Sequence, residues 1–211
     1  MMEPILMDYV EAYNLLKKNG INAAEARYVK TYEEAVDFAD GKAIVIKGIS
    51  AKALHKTKSG LVATNLLEEK DIKEAFISIQ KRAEQYKPYR ILAQRMVPYN
   101  PNNIEIIIGS STDQQFGKLL LLGLGGIYVE AFRDFAIRLC PITRHDAEAM
   151  LDDLKSSKII AKTDKDRKTI VDLLLKSAVL AEDKKIKEFD LNPIIFYDGK
   201  YTAVDLRILK G

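Results

Sequence analysis

The chain has 211 residues and a mass of 23.8 kDa, enough for one domain or two small lobes and too little for a long repeat array. Hydrophobic residues make up 47% and charged residues 30%, so a buried core and a solvated shell are both available and wholesale disorder is excluded. The 33 Lys and Arg against 30 Asp and Glu leave a net charge of +3 spread along the chain, which argues against a DNA or RNA partner. A single cysteine, Cys140, allows no internal disulfide and no cysteine cluster for a metal. No apolar run reaches the ~18 residues of a membrane span, and the start MMEPILMDYV is acidic where a signal peptide is basic. A cytoplasmic protein is expected.

In chain order, Tyr9, Val10, Tyr13, Leu15 and Leu16 recur at helical spacing before Gly20, a natural C-terminal cap. Thr31 followed by Glu34 fits a capping box for a helix that runs to about Ala39. AIVIKGI, from Ala43 to Ile49, is short and rich in β-branched residues and predicts a strand, and LVATNL after the next loop predicts another. Ile72, Ala75, Phe76, Ile79 and Ala83 mark an amphipathic helix from about Asp71 to Tyr86, closed by Pro88. Strand-like runs follow in ILAQRMV, NIEIIIG, KLLLLGLGG and FAIRLCPI, then helices over about 144–155 and 166–184, then EFDLNPIIFYDG and KYTAVDLRI. Strands clustered in this way, without strict alternation with helices, predict an α+β fold in two lobes, 1–90 and 91–211.

The closing segment carries the sharpest local signal. Asp198-Gly199 between two strand-like runs suits a type I′ turn, which needs positive φ at both positions. If Tyr197 then faces Lys200, Asn192 stands opposite Asp205 and Asp190 opposite Arg207, all on one face. Directly opposed side chains start about 4.5 to 5.5 Å apart, so the Asn192 amide oxygen and the Asp205 carboxylate could reach one hard cation such as magnesium. The competing reading is a solvated hairpin with an Asp190–Arg207 charge pair, and a bulge at Pro193 would break the register.

Lys47 ends an otherwise apolar strand, where burial is costly unless the ammonium meets an anion; a lysine reaching to solvent is the alternative. HKTKSG, beginning at His55, gathers an imidazole, two ammonium groups and hydroxyls that can surround phosphate, although it lacks P-loop spacing. His55 fits a general base, a metal ligand, a phosphoryl acceptor or plain surface. His145, in TRHDAEA, reads as structural. The glycines of FGKLLLLGLGGIYVE do not complete a dinucleotide fingerprint and point to close approach of a ligand or a neighbouring backbone. Glu130, Asp134 and Arg138, spaced by four, would form a surface charge ladder if helical.

Taken together, AIVIKGIS, LHKTKSGLV, LAQRMV, IEIIIGSSTDQQFGKLLLLGLGGIYVEAFRDFAIRLCPI, EFDLNPI and YTAVDLRI resemble the ATP-grasp subunit of ADP-forming acyl-CoA synthetases, chiefly the β subunit of the acetyl-CoA enzyme. The resemblance implies an ATP-grasp fold with nucleotide between two α+β lobes. It also implies conversion of acyl-CoA, ADP and phosphate to free acid, ATP and CoA with a CoA-binding α subunit, in an α2β2 heterotetramer. By resemblance, His55 is the histidine that carries the phosphoryl group, Asp190 lies near the incoming phosphohistidine, and Lys47 meets the nucleotide phosphates. The match also makes Asn192 and Asp205 ligands of Mg2+ and sets Gln94, Arg95, Met96 and Val97 at the adenine hinge, with Glu105 in the nucleotide site and ATP or ADP as the bound nucleotide. The chain departs from the family in a single Gly60 where a glycine pair is usual, and in Ala43 where proline is usual. A rival class is a nucleotide-sensing regulatory ATP-grasp-like module of a protein acetyltransferase system, against which the intact set of His55, Asn192 and Asp205 argues.

Overall fold

The computed structural model describes residues 4–50, 52, 59–98, 100, 102–126 and 134–211. The chain forms two compact units, one of Ala24–Pro98 and one of Met1–Ala23 with Tyr99–Gly211. This differs from the expected division at 1–90 and 91–211 in two places, each for a hydrogen-bonding reason. The strand Arg90–Arg95 is bonded on both sides within the smaller unit, so the chain leaves that unit only at Pro98. The N-terminal Ile5–Leu6 pairs with the last strand, Ile5 against Lys210 and Leu6 against Leu209, which draws the first helix into the larger unit.

The smaller unit is an antiparallel four-stranded sheet backed by two helices. Its strands are β2 (Ala26–Val29), β3 (Ile44–Ile49), β4 (Val62–Leu66) and β5 (Arg90–Arg95), in the order β2-β5-β3-β4. Helix α2 (Tyr32–Ala39) opens with half of the expected capping box: the Thr31 hydroxyl accepts from the Glu34 N–H at 3.3 Å, but the Glu34 carboxylate accepts from the Lys30 N–H at 2.7 Å. Helix α3 (Glu69–Ala83) begins two residues before the expected start and gives way to a tighter turn at residues 84–86. Ile44 and Ile46 of β3, with Ile91 and Ala93 of β5, pack against Phe38, Phe76 and Ile79 of the helices. Strand alternation therefore turns Lys47 and Gln94 to the face away from α2 and α3.

The larger unit is built on a seven-stranded sheet. Its strands are β1 (Ile5–Leu6), β6 (Ile104–Asp113), β7 (Gly117–Leu124), β8 (Phe135–Leu139), β9 (Ile186–Tyr197), β10 (Lys200–Ala203) and β11 (Leu206–Lys210). They run in the order β1-β11-β9-β6-β7-β8, with β10 paired to β9. The helices are α1 (Tyr9–Lys18), α4 (Arg144–Asp152), α5 (Ser157–Ile160) and α6 (Asp164–Glu182). Even-numbered residues of β6, β7 and β8, such as Ile106, Ile108, Leu120, Leu122 and Ala136, are buried on the helix side. Odd-numbered residues occupy the opposite, open face, where Phe135 is 50% and Ile137 42% exposed.

The expected helical ladder of Glu130, Asp134 and Arg138 is overturned for its described members. Asp134 is buried just before β8, where its carboxylate accepts from the Lys155 and Ser156 N–H groups, each at 2.8 Å, and Arg138 lies on β8 and pairs with Asp153. Glu130 lies outside the described residues. Burial raises the Asp134 pKa, but the hydrogen bonds from Ser156 and Lys155 outweigh it and the net shift is downward. Cys140 is half-buried and desolvation pushes its thiol up. Among the described residues no helix is long and apolar enough to cross a membrane.

Candidate functional site

The hairpin turn has the expected geometry, with φ of 46° at Asp198 and 66° at Gly199. Tyr197 faces Lys200 and Asp190 faces Arg207, and the Asn192 N–H donates to the Asp205 carbonyl at 3.2 Å. One register thus runs from the turn as far as Leu209, which faces Glu188, and shifts only at the end, where Lys210 faces Ile186. Pro193 keeps it, because its carbonyl accepts from the Val204 N–H at 3.1 Å. The irregularity falls instead on the ladder with β6, where Ile106 faces Ile194 but Ile108 faces Leu191. Asn192 and Pro193 therefore bulge opposite Ile107. Burial on β9 switches parity there: Phe189 and Leu191 are buried before the bulge, Ile194 and Phe196 after it. The bulge lets both apolar pairs face the core while Asp190 and Asn192 stay on the open face.

Asp190, Asn192, Asp205 and Arg207 share that face. Desolvation raises the Asp190 pKa, Arg207 pulls it down, and the nearby Asp205 and Glu188 carboxylates push it up; the net shift is upward. Arg207 makes its ion pair diagonally with Glu188 at 3.4 Å, although Asp190 is its partner across the ladder. Sequence reasoning passed over Glu188; the spacing of two in Glu188, Asp190 and Asn192 was the available signal. Among the described residues no three His, Cys, Asp or Glu gather as a metal cluster. An amide and one carboxylate still suit magnesium, which takes few protein ligands and completes its shell with water and phosphate oxygens.

Glu105 is exposed on β6, on the same open face. Its carbonyl accepts from the Gly125 N–H at 2.6 Å, and a side chain on Gly125 would meet the Glu105 backbone at 2.8 Å. The glycine run thus serves, at Gly125, the approach of a neighbouring backbone.

In the smaller unit Lys47 and Gln94 are both buried, 8% and 1% exposed. Lys47 faces Leu92 while Val45 faces Gln94, which makes Lys47 and Gln94 diagonal neighbours on one face, within reach of a common ligand. Met96 and Val97 follow β5, with the Met96 N–H donating to the Ala43 carbonyl at 3.1 Å. Arg95 points the other way. Its guanidinium donates to the Ala39 carbonyl at the end of α2 at 2.6 Å and lies 4.6 Å from the Phe38 ring centre, so alternation commits it to the unit's own packing. His55 lies outside the described residues, and His145 is exposed at the start of α4.

A model of the ATP-grasp domain matches residues 5–209, so the class is that of ATP-grasp proteins. The β subunits of the ADP-forming acetate–CoA ligases I and II of Pyrococcus furiosus are 35% and 37% identical to this chain, over 94% and 95% of it and 89% and 90% of their own lengths. The acetyl-coenzyme A synthetase 1 of Ca. Korarchaeum cryptofilum, solved with coenzyme A and Ca-AMPCP, superimposes with a TM-score of 0.87 at 33% identity, covering 99% of this chain and 94% of that one. The chain belongs to the family of ADP-forming acetate–CoA ligase β subunits and has the ATP-grasp fold.

Proposed function

We propose that this chain is the nucleotide-binding β subunit of an ADP-forming acyl-CoA synthetase, passing a phosphoryl group between a CoA-binding α subunit and ADP, within an α2β2 assembly in the cytoplasm. The observation that carries the reading is the Asn192–Asp205 pair, opposed across one ladder beside Asp190 on the open face. These two residues would hold magnesium, which when bound neutralises charge on the nucleotide phosphates. Lys47, held in a buried strand, adds a cation where low dielectric strengthens its hold on phosphate. Gln94 and Glu105 orient the polar parts of the nucleotide, and Met96 with Val97 borders the base; Arg95 fixes the end of β5 onto α2.

His55 accepts the phosphoryl group, since imidazole is largely neutral near pH 7 and is a competent nucleophile there. The phosphorus–nitrogen bond to the α-subunit histidine breaks as the bond to the His55 ring forms, and transfer to ADP then makes ATP. Asp190 stands where the incoming donor must pass. A related enzyme has been solved with coenzyme A, Mg-AMPPCP and a phosphohistidine segment pointing towards its nucleotide binding site, which supports the same traffic here.

The test combines the chain with an α subunit, acetyl-CoA, ADP, phosphate and magnesium. ATP should form, and His55→Asn should abolish it while leaving nucleotide binding intact. Labelled ATP should leave acid-labile, base-stable phosphate on the wild-type chain only. A labelled mutant would remove His55 from the relay, and ATP formation by this chain without any partner would overturn the two-subunit reading.

A further inference from the structure

One row crosses the open face of the larger sheet: Ile137 faces Leu121, Leu121 faces Gly109, Gly109 faces Asp190 and Asp190 faces Arg207. The same row floors a hollow of which Arg207 is the only cation among the described lining residues. Gly109 is the odd member. A mid-strand glycine weakens a sheet, and it is normally explained by positive φ or by a close neighbour. Gly109 has neither. Its φ is not in the left-handed range, and among the described residues a Cβ there would meet only the Phe189 carbonyl oxygen, at an ordinary 3.4 Å. Gly123 and Gly125 differ, since a side chain on either would crowd backbone at 3.2 and 2.8 Å.

Among the described residues there is therefore room for a side chain at Gly109, next to a carboxylate and a guanidinium. The guanidinium is only loosely held: its ion pair with Glu188 spans 3.4 Å, and 58% of its side chain is exposed. A planar fork so placed can turn from one carboxylate to the two oxygens of a phosphoryl group.

We propose that Gly109 and Arg207 form the landing place for the phosphoryl group that the partner chain presents, Gly109 giving clearance for the arriving segment and Arg207 pairing with the phosphoryl oxygens while Glu188 holds it between visits. This rests on the relay reading for the source of the phosphoryl group, but the anion site itself does not depend on it. In this scheme Arg207 is a recognition residue for the donor, distinct from Lys47 and the Asn192–Asp205 pair, which act on the nucleotide.

Two measurements on the whole chain test it. Inorganic phosphate titrated into 15N-labelled protein should shift the Gly109 amide and the Arg207 Nε–H signals, and Arg207→Gln should remove those shifts. No shift at either group in the wild type overturns the proposal. In turnover with the α subunit, Arg207→Gln should lower kcat/KM for the α subunit by about tenfold or more, the loss of one charge-assisted contact, with Arg207→Lys recovering part of it. Gly109→Ala should leave nucleotide affinity unchanged and thermal stability unchanged or slightly raised, yet lower the same constant about tenfold. Wild-type rates in both Arg207→Gln and Gly109→Ala also overturn the proposal. Phosphate shifts that depend on Arg207 in a chain that makes no ATP with any α subunit would leave the anion site standing and remove the relay reading.

Discussion

The two sheets present polar chemistry by opposite means. In the smaller unit, Lys47 and Gln94 sit on the unbroken ladder of β3 with β5, the one irregularity of β3 falling on its other side against β4, and plain alternation turns them to the face away from α2 and α3, where both are buried. In the larger unit, Asp190, Asn192 and Asp205 gather around a bulge at Asn192-Pro193 that changes which parity faces the core. The regular arrangement holds its side chains by burial, so their orientation is inexpensive to maintain but each needs a polar partner. The bulged arrangement brings two oxygen donors from adjacent strands to the surface, at the cost of a break in one ladder. A buried cation suits a phosphate arriving in the same place every cycle, while an exposed amide beside a half-buried carboxylate, as at Asn192 and Asp205, suits a hydrated metal that comes and goes with its nucleotide.

Removing a ligand from the bulged side should break this comparison most severely. Asp205→Asn takes the only formal charge from the proposed pair, and turnover with magnesium and ADP should fall by about 10² to 10³. Nucleotide affinity should also lose its dependence on magnesium, which a calorimetric titration at several magnesium concentrations would read. An affinity that still rises with magnesium as in the wild type would return the hairpin to a solvated turn with structural charges.

On the regular side, Lys47→Met keeps the length of the side chain and removes its charge. Nucleotide affinity should drop by about 10- to 100-fold, the worth of a charge-assisted contact with phosphate. Thermal stability should fall by no more than the ~1 to 3 kcal/mol of one buried polar contact. A variant that melts markedly earlier and binds nucleotide as before would make Lys47 part of the fold and not of the site.

These contrasts track what was legible in the sequence. Asp198-Gly199 dictated a turn type, the turn type dictated the register, and the register placed Asn192 opposite Asp205 without any knowledge of the sheet. The bulge was not legible as a location, since Pro193 marks an irregularity but not which of two ladders absorbs it. β2 went unseen because ARYV has no apolar alternation and is held by its pairing with β5. The unit boundary was misplaced because Ile5 and Leu6 are two exposed residues whose only cue to their place is the strand at the far end of the chain. Gly109 could not be singled out either; its meaning comes from the absence, among the described residues, of a neighbour that requires it.

Asp134 tests whether the irregular sheet also depends on charge away from its site. Its carboxylate holds two N–H groups ahead of α5, and its pKa is lowered in the fold. Asp134→Asn can accept from only one of them, and should cost about 1 to 3 kcal/mol at neutral pH. The sign follows from the depressed folded pKa: the contribution is fully present above the unfolded carboxylate pKa and is lost as pH falls through the folded one. The gap in melting temperature between wild type and variant should therefore be widest near pH 7 and close as the solution is acidified below about pH 4. A gap that is constant down to pH 3 would mean that shape, and not charge, is what Asp134 supplies.

The smallest expected effect separates scaffold from site within one strand of the smaller sheet. Gln94 and Arg95 are consecutive, and alternation sends Gln94 to the face that carries Lys47 and Arg95 to α2. Arg95 there gives the Ala39 carbonyl a second donor beside the Lys42 N–H, and stacks on Phe38. Arg95→Met keeps much of the apolar contact and loses the donor, so it should cost about 1 kcal/mol by chemical denaturation and leave nucleotide affinity unchanged. Gln94→Met should weaken nucleotide binding, whatever stability it loses with its buried amide. If Arg95→Met weakens nucleotide binding as much as Gln94→Met does, the guanidinium must leave Phe38 when the nucleotide arrives, and the smaller sheet is then less fixed than its burial pattern implies.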